Sequence, residues 1–193
     1  MKRLLTSFSL LMASLILPAH AALISIVPQS STTSIGEQLV VDLTISGLGD
    51  KQASSLATFD IDFIFDSNML TFQNAMFGNQ LDLIGLGSWQ SATEVSSGLV
   101  NLFELSFDSD EILNSMQAGS FILASLVFDV IGNGTANLLT QVNALGDANN
   151  ASPLTNVELV GSSVDVAEPS IALLMGLGLA GLLASRRLRG IDN

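Results

Sequence analysis

The chain has 193 residues, a single histidine, no cysteine and no tyrosine, and a net charge of −12. Five of its six basic residues, Lys2, Arg3, Arg186, Arg187 and Arg189, lie at the two ends, so residues 22–166 carry 16 carboxylates against Lys51 alone, a net −15. That balance excludes nucleic-acid binding, for which phosphates must be neutralised; the missing side chains exclude disulfide staples, cysteine nucleophiles and ordinary zinc sites.

The first segment reads as an export signal. Lys2 and Arg3 form a positive start, Leu4 to Leu17 is an apolar run, Pro18 breaks it, and Ala19-His20-Ala21 supplies the small-x-small pattern that a signal peptidase cuts. Cleavage after Ala21 removes the only histidine, and with it any catalytic triad.

The middle alternates between apolar and polar residues with the period of strands. A short strand is expected at Leu23–Val27. In Leu39–Ser46 the odd positions are apolar and Asp42, Thr44 and Ser46 face away. In Thr58–Asp66, Phe59, Ile61, Phe63 and Phe65 should line a buried face, with Asp60, Asp62 and Asp66 in solvent. Short strands follow at Leu70–Phe72 and Trp89–Thr93. Leu99–Phe107 reads as a strand with Phe103, Leu105 and Phe107 inward and Glu104 and Ser106 outward. A turn or two of helix fits Asp110–Met116. Phe121–Val130 reads as a central strand whose core set is Ile122, Leu126, Phe128 and Val130. Gly132-Asn133-Gly134 signals a turn, Thr135–Ala144 resumes as a strand, and Val157–Val166 ends the series. Many short strands between turn residues imply an all-β fold, a two-sheet sandwich over residues 22–166.

The last segment, 167–193, reads Ala167-Glu168-Pro169, then an apolar stretch over 171–185, then Arg186, Arg187 and Arg189. Fifteen helical residues rise roughly 22 Å, short of the ~30 Å hydrocarbon layer. That suits a transmembrane helix read by processing machinery, with the arginines left cytoplasmic. Gly176, Gly178 and Gly181 spell GxGxxG here, but inside an apolar helix rather than after a strand, so no nucleotide site follows. The tail resembles the PEP-CTERM sorting signal of bacterial proteins, with Ala167 where that motif has its first proline. The resemblance implies recognition by an exosortase, membrane association through 171–185 that is transient or permanent, and delivery to the cell envelope, the surface or an extracellular, biofilm-type matrix.

Leu56 to Phe72, with its alternating aromatic strand, aromatic-Asp turn and following leucine, resembles the early strand pair of cohesin domains. Gly119-Ser120-Phe121 to Phe128, Gly132-Asn133-Gly134-Thr135-Ala136, and the Asp/Asn-rich loop Gly146–Asn150 resemble later parts of that family. The resemblance implies a jelly-roll, Ig-like sandwich related to carbohydrate-binding modules, and a non-enzymatic role. Its partner is then a protein or glycan ligand outside the cell.

Three features bear on ligands. Asp108, Asp110 and Glu111 offer hard oxygens that could hold calcium, although a solvated charged turn explains them more simply; no other cofactor is indicated. Trp89, the only tryptophan, is either a ligand contact or edge packing, and with most phenylalanines assigned inward a platform of several rings is not expected. Asp60 and Asp62 lie two apart on a solvent face with no Arg, His or Tyr to separate their pKa values, so no catalytic residue is assigned to them. A docking module should show an apolar patch on an outer sheet face; a glycan-binding module should show an exposed Trp89 beside a groove.

Overall fold

The computed structural model describes residues 22–149, 153–154, 156–168, 175 and 179. Eleven strands and one short helix follow in order: β1 (Ala22–Pro28), β2 (Thr32–Ser34), β3 (Gln38–Ser46), β4 (Leu56–Phe65), β5 (Leu70–Phe77), β6 (Ser88–Ser96), β7 (Leu99–Ser106), α1 (Asp110–Met116), β8 (Phe121–Val130), β9 (Gly134–Asp147), β10 (Val157–Val160) and β11 (Ser162–Ala167). They form two sheets, a five-stranded one in the order β10-β1-β3-β8-β5 and a six-stranded one in the order β2-β11-β9-β4-β7-β6.

The core lies between the sheets and follows the period-2 pattern where one face alone is apolar. Leu39, Val41, Leu43 and Ile45 of β3 are buried, and Phe59, Ile61, Phe63 and Phe65 of β4 oppose them. Phe128 of β8 is the centre of an aromatic cluster, with ring centroids 5.7, 5.0 and 5.9 Å from Phe63, Phe65 and Phe72. Every residue of the described core cluster falls within residues 22–166, so this body has its own hydrophobic core.

The structure corrects the sequence reading in four places. The inward face of β7 is Val100, Leu102 and Glu104, all buried, while Phe107 is 56% exposed and Phe103 and Leu105 lie half-buried on the outer face. In β8 the expected core residue Ile122 is exposed and Leu123 and Ala124 are buried instead. The cause is a β-bulge: Leu43 pairs with Ala124 but Thr44 with Ile122, so Leu123 is an extra residue that shifts the alternation. The final expected strand, Val157–Val166, divides at Gly161 into β10, which joins one sheet, and β11, which joins the other. A Cβ on Gly161 would stand 2.9 Å from the Leu138 carbonyl oxygen, so the crossover needs glycine. Finally, β5 extends to Phe77, five residues beyond the expected Phe72.

The export signal with Ala19 and Ala21, together with Pro169, Arg186, Arg187 and Arg189, lies outside the described residues. Of 171–185 only Met175 and Leu179 are described, both helical and exposed, and among the described residues no helix is long and apolar enough to cross a membrane. Ala167 closes β11, paired with Ser34, and Glu168 accepts a hydrogen bond from Asn133 Nδ2 at 3.0 Å.

Candidate functional site: the outer face of the six-stranded sheet

The inverted register of β7 creates the site. With Val100, Leu102 and Glu104 turned inward, Asn101, Phe103 and Leu105 face outward beside the outward residues of β4 and β6. Trp89 lies opposite Leu105 and Ser91 opposite Phe103 on one side of β7; Thr58, Asp60 and Asp62 lie opposite Leu105, Phe103 and Asn101 on the other. Trp89 is 63% exposed, and its ring meets Phe103 edge-on at 6.0 Å. Phe107 follows just past the strand end, and Ile84 and Leu86 of the neighbouring loop are also exposed. The face thus carries an apolar patch of several rings, which the inward assignment of most phenylalanines does not predict.

Beside the patch lies a polar centre. Asn101 Nδ2 donates to Asp60 Oδ1 at 2.7 Å and to Asp62 Oδ1 at 2.8 Å, and Asn143 Nδ2 donates to Asp60 Oδ1 at 3.2 Å. One amide therefore holds two carboxylates in fixed rotamers on a half-buried surface. Their other oxygens remain open to a cationic donor, where a charge-assisted bond is about twice as strong as a neutral one.

One end of the face is braced by the loop over residues 78–87. Asp108 Oδ2 accepts the Leu83 N–H at 2.6 Å, Asp82 Oδ1 accepts the Gly87 N–H at 2.8 Å, and Ser106 Oγ donates to the Leu81 carbonyl at 2.6 Å. Gln117, wholly buried, ties this end together. Its Oε1 accepts the Leu56 N–H at 2.6 Å, and its Nε2 donates to the Leu56 and Gln80 carbonyls at 2.8 and 3.0 Å. Glu104 sits beneath the loop, accepting from Ser88 Oγ at 2.6 Å and Gln90 Nε2 at 2.9 Å. Burial pushes its carboxyl above the usual range; the two hydrogen bonds oppose that rise, and nearby Asp82 adds to it.

The three calcium candidates have separate roles. Asp108 is turned into the loop, with its Oδ1 buried and unpartnered, whereas Asp110 and Glu111 occupy the exposed first turn of α1, where negative charge complements the helix dipole. Among the described residues no group of three or more His, Cys, Asp or Glu is placed to hold a metal ion. Elsewhere a cleft of about 600 Å³ opens beside the start of β1 and the end of β3, lined by Leu48, Asp50, Gln52, Asp147 and Asn156 among others. Its carboxylates have no imidazole, thiol or phenol beside them, since residues 22–193 contain none.

No protein-family model and no curated protein matches this sequence. Solved structures do. The seventh type I cohesin of ScaB from Pseudobacteroides cellulosolvens superposes with a TM-score of 0.59 at 16% identity, covering 78% of this chain and 94% of that one. The sixth cohesin of scaffoldin B from Acetivibrio cellulolyticus, solved in complex with a Cel5 dockerin, gives 0.61 at 16% identity over 76% and 99% of the two chains. A non-cellulosomal cohesin from the hyperthermophilic archaeon Archaeoglobus fulgidus gives 0.57 at 15% over 80% and 97%. The fold is therefore the two-sheet sandwich of cohesin modules. At these identities the likeness is one of fold.

Proposed function

We propose that this chain is an exported, non-enzymatic docking module whose outer β9-β4-β7-β6 face receives a dockerin-like protein partner. The supporting observation is the exposed Trp89–Phe103–Phe107 patch set against the Asn101-clamped carboxylates of Asp60 and Asp62. Apolar rings next to fixed carboxylates suit a partner that presents Lys or Arg among apolar side chains, since a rigid aromatic anchor and a desolvated charge dominate such interfaces. The structural neighbours include cohesins solved with dockerins, which supports a protein rather than a small ligand. Delivery follows from the chain ends. Signal peptidase removes 1–21, and an exosortase reads Ala167-Glu168-Pro169 and the arginines, leaving the module in the envelope or its matrix.

The test is capture from the secreted and envelope fractions of the source organism, followed by affinity measurement with the purified partner. Asp60→Lys with Asp62→Lys should weaken binding at least about 30-fold, the effect of losing about 2 kcal/mol at a desolvated ion pair. Trp89→Ala should weaken it as well, and Leu159→Ala on the opposite sheet should not. Binding to a glycan array that depends on Trp89 and ignores Asp60 and Asp62 would refute the protein-docking reading in favour of a polysaccharide-binding module.

A further inference from the structure

The chain has one Asn-Gly step, Asn133-Gly134, in the turn that joins β8 to β9. Such a step is chemically reactive. The Gly134 backbone nitrogen can attack the side-chain carbonyl carbon of Asn133, because glycine has no Cβ to keep it away. A C–N bond forms, the amide nitrogen leaves as ammonia, and a cyclic imide results. Water then opens the ring at either carbonyl, leaving aspartate or isoaspartate at position 133. Only water is consumed.

The fold holds both reacting groups, and from one side. Asp165 donates its N–H to the Ser31 carbonyl, beside β2, at 3.0 Å, so the next residue, Val166, turns its backbone groups toward β9. Val166 is the register partner of Gly134, and in such an antiparallel pair each residue bonds the other's N–H. The Gly134 nitrogen is therefore committed to the ladder. Asn133 is exposed, and its Nδ2 donates to Glu168 Oε1 at 3.0 Å. Nucleophile and leaving group thus take their partners from Val166 and Glu168, at the end of β11. The start of the turn is anchored elsewhere, with the Ile131 and Gly132 N–H groups donating to the Met69 carbonyl at 2.8 and 3.2 Å.

We propose that Asn133 is a deamidation site gated by the end of β11, closed while Val166 and Glu168 are docked and open when they lift. The change runs one way. The new carboxylate faces Glu168 and stands near Asp165, which already accepts from Thr135 Oγ1 at 2.8 Å. Like charges set against each other destabilise the pairing, so the strand end re-docks less well. Under the sorting reading above, processing must reach Ala167-Glu168-Pro169, and lifting of that end is then recorded in the chain as a charge. The chemistry does not rest on that reading.

The test is incubation of residues 22–168, which hold the whole described core, in mildly alkaline buffer. Peptide mass spectrometry counts aspartate and isoaspartate at position 133, and circular dichroism checks the fold of each variant. Conversion should be at least about tenfold slower in the folded wild type than in urea, since a folded chain opens locally only a small fraction of the time. Glu168→Ala should speed the folded chain about fivefold, the factor for one ordinary hydrogen bond. Glu168→Gln, which keeps an acceptor for Asn133, should stay close to the wild type. Asn133→Asp, the product, should speed amide exchange at Val166. Equal rates folded and in urea overturn the gating, as does a Glu168→Ala rate equal to the wild type's. Unchanged exchange at Val166 overturns the one-way step, and no conversion at Asn133 even in urea overturns the site. A chain found intact at both ends in its source organism would remove only the sorting link and leave these rates as they are.

Discussion

Phe107 and Phe128 have the same side chain, and alternation in the sequence assigns both to the core; the structure assigns them opposite environments. Phe128 is fully buried against three other rings. Phe128→Ala should therefore cost about 4–5 kcal/mol, near the upper end for such truncations, because little can collapse into the space and three aromatic pairs are lost. Phe107 is 56% exposed. Of roughly 200 Å² of ring surface, about 90 Å² is covered, which at 25 cal/mol per Å² is about 2 kcal/mol. That figure is an upper bound, since the unfolded chain already hides part of the surface. The two variants should differ by at least about 2 kcal/mol. In urea unfolding followed by circular dichroism, with a slope of about 2 kcal/mol per molar, the midpoints should separate by about 1 M. Equal losses, or a larger loss for Phe107→Ala, would return Phe107 to the core and remove the outer-face site.

Glu104 makes the sheet's stability pH-dependent. Its folded pKa lies above the unfolded value, so the native state binds more protons in the window just above pH 4.5. Stability from this group should fall as pH rises through that window and then level off. Glu104→Gln, which keeps an acceptor for Ser88 and Gln90, should abolish that slope in denaturation midpoints between pH 4.5 and 7; an unchanged slope would show that the burial argument is wrong. Gln117→Ala should cost about 3 kcal/mol or more, because it leaves the Leu56 N–H and the Leu56 and Gln80 carbonyls without a side-chain partner, each at about 1–3 kcal/mol when buried. The same variant should speed amide exchange in the 78–87 loop. A loss below 1 kcal/mol would mean that water replaces the amide without penalty.

Where a segment has one apolar and one polar face, the amino-acid order alone decides which side is buried. β3 and β4 are such strands, and their eight expected core residues are all buried. α1 was likewise legible to the residue, since Ser109 caps it and Asp110 and Glu111 open it. The sandwich, its strand-rich order and its anionic surface follow from the same local rules.

Burial on β7 was not decided locally. Both of its faces carry large apolar side chains, Val100 and Leu102 on one and Phe103 and Leu105 on the other, so period 2 defines two faces without choosing between them. The choice belongs to the neighbours. Phe59 and Phe63 of β4 are fixed inward, and register places Glu104 and Val100 beside them, so Phe103 and Leu105 of β7 must turn out. The cost is one buried carboxyl, which Ser88 and Gln90 on β6 hold in place. The bulge at Leu123 is of the same kind, because an extra residue shows only against the strand it pairs with. The apolar outer face exists because pairing between strands far apart in sequence overrode the larger side chains' own preference for burial.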